Sequence, residues 1–150
     1  MGKIEALISR LRGQRVYIDT NIFIFFLDGN PSYARVVGSL FQACVEKQIF
    51  PVTGRITLAE VMVHPYRHGD ALAIARFKSF FTQKDFLSLC EYGPDFFDEA
   101  AMIAGKNKMK LIDAIHYRAA LDAGCKFLLT NDRGFTSSDM IEVIQIDDLL

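Results

Sequence analysis

No tryptophan, four prolines and three cysteines without C-x-x-C spacing occur among the 150 residues. Cys44, Cys90 and Cys125 are odd in number and stand near apolar residues such as Val45, Leu89 and Phe127. That pattern excludes a disulfide scaffold and reads as reduced core thiols, which points to the cytoplasm. There is no long hydrophobic run either: the most apolar stretch, Ile22 to Leu27, is far shorter than the ~20 residues that cross a bilayer. The segment Lys3 to Arg15 is charged throughout, so neither an export signal nor a membrane span is expected. Met1-Gly2 would suit myristoylation, but Ala6 occupies the position that needs Ser or Thr. A Gly-rich phosphate loop is also missing, which argues against a nucleotide cofactor. The net charge of −1 supplies no overall attraction for nucleic acid, so an RNA partner would need a local cluster of Lys and Arg.

What the chain does have is apolar mass: 51% hydrophobic residues, enough for one compact domain over residues 1–150 with a real core. Ile4, Leu7, Ile8 and Leu11 recur at helical spacing, so residues 1–14 open the chain with a short amphipathic helix ending at Gly13. Strands are expected at 16–18, 49–53, 86–90, 126–129 and 143–146. Helices are expected at 21–27, 32–47, 56–63, 71–81, 94–106 and 113–123, the one at 56–63 stopping near His64-Pro65 because proline breaks a helix interior. Alternating strands and helices without Asn-Gly or Asp-Gly hairpins predict an α/β fold, a three-layer α/β/α sandwich with a mostly parallel sheet of about five strands.

Four acids, Asp19, Glu60, Asp113 and Asp132, lie inside or against apolar runs and are spread over nearly the whole chain. Asp19 ends the run Val16-Tyr17-Ile18 and Asp132 follows Phe127-Leu128-Leu129-Thr130, so both fall where strands finish, the edge that forms the ligand crevice of parallel sheets. Each acid also has a local explanation. Asp19 suits a helix cap, and Asp132 suits an Asx turn. Asp113 sits in a first helical turn, where the dipole favours it by about 0.3–1 kcal/mol. Glu60 either closes a capping box with Thr57 or, if its helix starts near Thr53 or Gly54, lies mid-helix on the face of Ile56 and Val63. If the four converge, two like charges about 4 Å apart repel by about 4 kcal/mol at an effective dielectric near 20. A hard cation, Mg²⁺ or Mn²⁺, would relieve that repulsion and suit phosphodiester hydrolysis.

Tyr17-Ile18-Asp19-Thr20-Asn21, Ile56-Thr57-Leu58-Ala59-Glu60-Val61, Asp113-Ala114-Ile115-His116 and Leu129-Thr130-Asn131-Asp132-Arg133-Gly134-Phe135 resemble the four ordered motifs of PIN-domain nucleases, over about residues 15 to 147. The resemblance implies a PIN-like α/β/α sandwich and a Mg²⁺- or Mn²⁺-dependent endoribonuclease acting on RNA, often the toxin of a toxin-antitoxin pair with an antitoxin partner. It implies Asp19, Glu60, Asp113 and Asp132 as catalytic and metal-ligating residues, with Asn21 and Thr130 orienting them. Two departures stand out. Arg55 occupies a place where the family often has Ser, and the first helix is longer than in many members. A haloacid-dehalogenase-type phosphatase needs a second Asp two residues after the first, and Asn21 holds that position. The alternative of a different class is a catalytically weak PIN-like RNA-binding or protein-interaction module, which would ordinarily have lost one or more acids.

Arg15, Arg55, Lys108, Lys110 and Arg133 are the candidate RNA-binding cations, with a solvated loop the rival explanation for the lysines. His64 and His68 have the four-residue spacing of helical zinc sites, but Pro65 predicts a break between them and no third soft ligand is nearby. His116, one turn from Asp113, is either a packed or surface histidine or a proton-transfer group. Adjacent phenylalanines such as Phe25-Phe26 and Phe96-Phe97 cannot both face inward from one helix, so some reach the surface, where a homodimer contact and an antitoxin groove are expected.

Overall fold

The structure, a computed structural model, describes residues 2–82 and 85–150. Its strands β1 (Arg15–Ile18), β2 (Phe50–Gly54), β3 (Ser88–Cys90), β4 (Phe127–Thr130) and β5 (Glu142–Gln145) form one sheet in the order β3-β2-β1-β4-β5. Every pairing is parallel. The chain thus runs outward from β1 to one edge, then returns beside β1 to build the other half. The reversal falls between β1 and β4, and an α/β crevice opens at such a point, beyond the carboxyl ends of the strands.

Strand side chains alternate between faces. Val16, Ile18 and Leu129 join a core with helices α1 (Lys3–Leu11), α2 (Thr20–Leu27) and α3 (Ala34–Val45), whereas Tyr17, Val52 and Leu128 join a second core with α6 (Phe96–Asn107) and α7 (Leu111–Asp122). Helices on both faces give the expected three layers. Aromatic rings fill much of the first core, with Phe23, Phe41, Phe80 and Phe86 in edge or tilted contacts. The paired phenylalanines divide as anticipated: Phe96 is 2% exposed and its neighbour Phe97 57%. The three cysteines are free, and burial pushes the Cys44 thiol up to about 12.

One helix departs from the sequence reading. Helix α4 (Ile56–His68) continues through Pro65 instead of stopping before it. Proline forfeits one backbone donor, yet here its ring is buried, and the helix ends a turn later at left-handed Gly69 (φ 60°), whose amide donates to the Tyr66 carbonyl at 3.2 Å. The remaining elements are α5 (Ala71–Phe81) and a 3₁₀ turn at Ile146–Leu149. Among the described residues no helix is long and apolar enough to cross a membrane.

Candidate active site

Asp19 follows the last residue of β1 and caps α2, so its carboxylate is fixed from two sides. Oδ1 accepts from the Thr20 amide at 2.8 Å, and Oδ2 accepts from the Thr130 hydroxyl at 2.6 Å, at the end of the neighbouring β4. Only 6% of the residue is exposed, and burial raises its pKa despite these hydrogen bonds. The cap reading holds: one oxygen serves the helix, and the group stands at the carboxyl end of β1. Asn21 donates weakly toward Oδ2 and Thr130, both at 3.4 Å, and its carbonyl receives the Asn131 amide at 3.1 Å. It therefore braces β4 against α2 across the strand reversal.

Asp132 forms the Asx turn foreseen for it, Oδ1 accepting from the Gly134 amide at 2.7 Å, while its own amide donates to the Thr130 hydroxyl at 3.0 Å. Thr130 thus touches two acids with one hydroxyl. Asp113 lies in the first turn of α7, half-buried. Burial raises its pKa, and repulsion from Asp132 and then Asp19 raises it further. A β-carbon at Gly134 would lie 3.0 Å from Asp132 Oδ1 and 3.6 Å from Asp113 Oδ2, so both oxygens line the space that this glycine leaves open.

Glu60 is mid-helix, four residues past the start of α4, which decides between its two readings; Thr57 is buried and bonds Thr53 and Thr20 at 2.9 and 3.1 Å instead of capping. Glu60 Oε1 accepts from the Thr20 hydroxyl and faces His116 Nε2, both at 2.7 Å. Burial alone would raise its pKa, but the His116 and Thr20 hydrogen bonds outweigh that and hold it below the usual carboxylate value. Behind it, His116 Nδ1 meets the Tyr17 hydroxyl at 2.7 Å, and that phenol oxygen accepts from the Gly54 amide at 2.9 Å. A carboxylate can only accept, so Nε2 donates to Glu60, with Asp19 at 3.6 Å, and Nδ1 is left with the Tyr17 hydroxyl as its partner. His116 is packed, 1% exposed, and it joins two of the acids.

Sequence reasoning missed Tyr17 and Thr20, although both belong to the block around Asp19; Tyr17 reads there as a plain strand residue. The Arg55 departure has a structural answer. Arg55 makes no side-chain cap and pairs with Glu91, while the Tyr92 and Tyr17 hydroxyls receive the Ile56 and Gly54 amides. Gly54 is required, because a β-carbon there would fall 2.9 Å from each hydroxyl.

The candidate cations do not converge as a group. Lys110, at the cap of α7, lies close enough to lower the Asp113 pKa slightly, and Lys108 ends α6 nearby, exposed. Arg133 pairs with Asp148 at 2.9 Å on the surface. Arg15 begins β1, at the opposite edge of the sheet, and its charge acts on the Cys125 thiol. A strand rises ~3.3 Å per residue, so Arg15 is misplaced for the phosphate contact expected of it.

The donor set consists of carboxylate oxygens, which fits a hard cation. Among the described residues, however, no three Asp, Glu, His or Cys side chains already converge to hold an ion. Glu60 is held by His116 and Thr20, and Asp132 by the Gly134 amide. Gly134 leaves Asp132 and Asp113 space in which their oxygens can turn toward a common point.

A parallel five-stranded sheet with acids gathered beyond its carboxyl edge defines a class, an α/β fold built around an oxygen-donor crevice. The PIN domain model matches residues 16–139, and the chain belongs to the PIN domain family. No curated protein matches the sequence significantly. Solved structures share the fold. A toxin-antitoxin complex from Klebsiella pneumoniae aligns with 21% identity and a TM-score of 0.65, covering 87% of this chain and 97% of that one. VapBC2 from Rickettsia felis, bound to a promoter DNA fragment, gives 14% and 0.66 over 88% and 98%. VapC20 of Mycobacterium tuberculosis, a sarcin-ricin loop cleaving toxin, gives 11% and 0.62 over 83% and 92%.

Proposed function

We propose that this chain is a Mg²⁺- or Mn²⁺-dependent endoribonuclease that serves as the toxin of a toxin-antitoxin pair. The observation that carries the reading is geometric: Asp113 Oδ2 and Asp132 Oδ1 line the space beside Gly134, and the Thr130 hydroxyl that donates to Asp19 also accepts from the Asp132 amide, so that, after burial, the two other acids, Asp132 and Asp19, raise the Asp113 pKa. Such repulsion is tolerated where a cation is to be bound. Asp19, Asp113, Asp132 and Glu60 would hold the ion, which when bound supplies Lewis-acid activation of the phosphodiester. Thr130 holds Asp19 in orientation, and Thr20 and His116 hold Glu60 ionised and aimed. Lys110 offers a positive charge for the RNA backbone at the mouth of the crevice.

Partners follow from the fold's company and from the surface. Two of the similar structures are named as toxin-antitoxin or VapBC complexes, which supports an antitoxin partner for this chain. A surface groove of about 730 Å³, lined by Phe26, Leu27, Leu72 and Phe80, has the apolar character an antitoxin segment would cover. Exposed Phe97 and Met102 on α6 would suit a homodimer contact.

The test is cleavage of structured RNAs by the purified chain with Mg²⁺ or Mn²⁺ and with excess EDTA. Cleavage that requires the ion and disappears in Asp113→Asn is expected. Tight RNA binding without any cleavage would favour the non-catalytic module instead, and cleavage undiminished by EDTA would remove the metal from the proposal. Growth arrest on expression, relieved by a neighbouring small reading frame, is the expected cellular result.

A further inference from the structure

The acidic crevice leaves unused a pair of exposed histidines on α4. His64 and His68 both lie on α4, because the helix runs unbroken through Pro65. Four residues apart, they stand one above the other on one helical face, and their ring centres are 4.3 Å apart with the planes inclined by 58°. Both side chains are exposed. Among the described residues neither imidazole takes part in a hydrogen bond or a salt bridge, so no internal partner competes for the ring nitrogens.

We propose that His64 and His68 form a surface site for a divalent transition metal of the imidazole-preferring class, Cu²⁺, Ni²⁺ or Zn²⁺. Metal–nitrogen bonds of ~2.0–2.1 Å span rings this close after modest side-chain rotation. Two neutral imidazoles supply two ligands and water the others. Mg²⁺ prefers oxygen donors, so the pair discriminates against the ion suited to the carboxylates. Glu60 precedes His64 by four residues on the same helix, but it is directed inward to His116 and Thr20. The two sites are therefore adjacent along α4 and chemically separate.

The helix geometry provides the ligand spacing without any folding change on binding. Gly69 in the left-handed conformation stops the helix just after His68 and fixes its last turn. Affinity should follow the order Zn²⁺ and Ni²⁺ below Cu²⁺, as for most nitrogen sites. A bound ion would cross-link one turn of α4 in the folded state alone and so raise the melting temperature.

The experiment is isothermal titration of the full chain, stripped with EDTA and dialysed into millimolar Mg²⁺, with ZnCl₂, NiCl₂ and CuCl₂ in turn. One ion per chain at micromolar concentration is expected, with Cu²⁺ tightest and its electron paramagnetic resonance spectrum showing nitrogen coupling from imidazole. His64→Ala and His68→Ala should each weaken binding at least tenfold without lowering the metal-free melting temperature, since both side chains are exposed; Asp113→Asn should leave the transition-metal affinity unchanged. Binding that survives in the double His variant, or that is lost in Asp113→Asn but kept in the His variants, would assign the ion to the carboxylates and overturn the proposal. Wild-type binding no tighter than millimolar would overturn it as well.

Discussion

His116 Nε2 and Glu60 Oε1 meet at 2.7 Å although 56 residues separate them, and the imidazole is buried while the carboxylate is one-third exposed. The buried partner is the fixed one, held from behind by the Tyr17 hydroxyl. Glu60 therefore takes its position from a core network, although it belongs to the rim of the crevice.

That chain can be cut at Tyr17. Tyr17→Phe leaves the buried Gly54 amide without its acceptor and His116 Nδ1 without its donor, and an unsatisfied buried group costs ~1–3 kcal/mol. Urea unfolding should show a loss in that range, together with weakened RNA cleavage. Unchanged stability would mean the phenol oxygen is not carrying those bonds.

Thr130 offers a sharper separation of roles. Thr130→Val removes the hydroxyl that donates to Asp19 and accepts from the Asp132 amide, while its shape is kept. Loss of an orienting partner typically lowers metal affinity or activity by ~10–100-fold. Thr130→Ser should retain most of the activity. Equal rates for the valine and serine variants would show that the hydroxyl does not matter.

Asp113→Asn should abolish cleavage and yet raise the melting temperature of the metal-free chain at pH 7. The sign follows from the raised pKa of Asp113. A carboxyl that holds its proton more tightly in the folded state destabilises that state once ionised, so stability falls as pH rises from the unfolded value through the folded one, and the penalty is fully present at neutral pH. Glu60 acts in the opposite sense: its lowered pKa contributes stability above the unfolded value that is lost as pH falls through the folded one. Because Asp113 is partly exposed, solvent screens its penalty, and an increase of about 1–3 °C by calorimetry is expected. A lower melting temperature would indicate that the carboxylate is stabilising where it stands.

Millimolar Mg²⁺ or Mn²⁺ should raise the wild-type melting temperature, because an ion that binds only the folded chain stabilises it by mass action. The shift should vanish in Asp113→Asn. An equal shift in both proteins would place the ion elsewhere.

Gly134→Ala places a methyl 3.0 Å from Asp132 Oδ1 and 3.6 Å from Asp113 Oδ2. The expected result is a folded protein whose Mn²⁺ binding, measured by titration, is weakened several-fold. Wild-type affinity would show that the acids do not need this space.

Much of the fold was legible because apolar periodicity reports burial locally. The five strands, the parallel order implied by alternation, and a helix following Asp19 were legible from short runs such as Val16-Tyr17-Ile18 and Phe127-Leu128-Leu129. Pro65 misled because the rule against proline counts a lost hydrogen bond but not the packing of a buried ring. Arg15 misled because sequence proximity to Asp19 hides the length of a strand: the two residues lie at opposite edges of the sheet.

The sequence by itself determined the layered α/β architecture, the family motifs and the four acids at element ends, since these depend on residue type and spacing over a few turns. Only the tertiary structure decided that Asp113 shares a field with Asp132 and Asp19, that His116 holds Glu60, that two tyrosine hydroxyls serve the start of α4, and that His64 and His68 stand in register. Each of these depends on side chains meeting across distances of ångströms between residues far apart in the chain or across a proline expected to part them, and local pattern carries no measure of such approach.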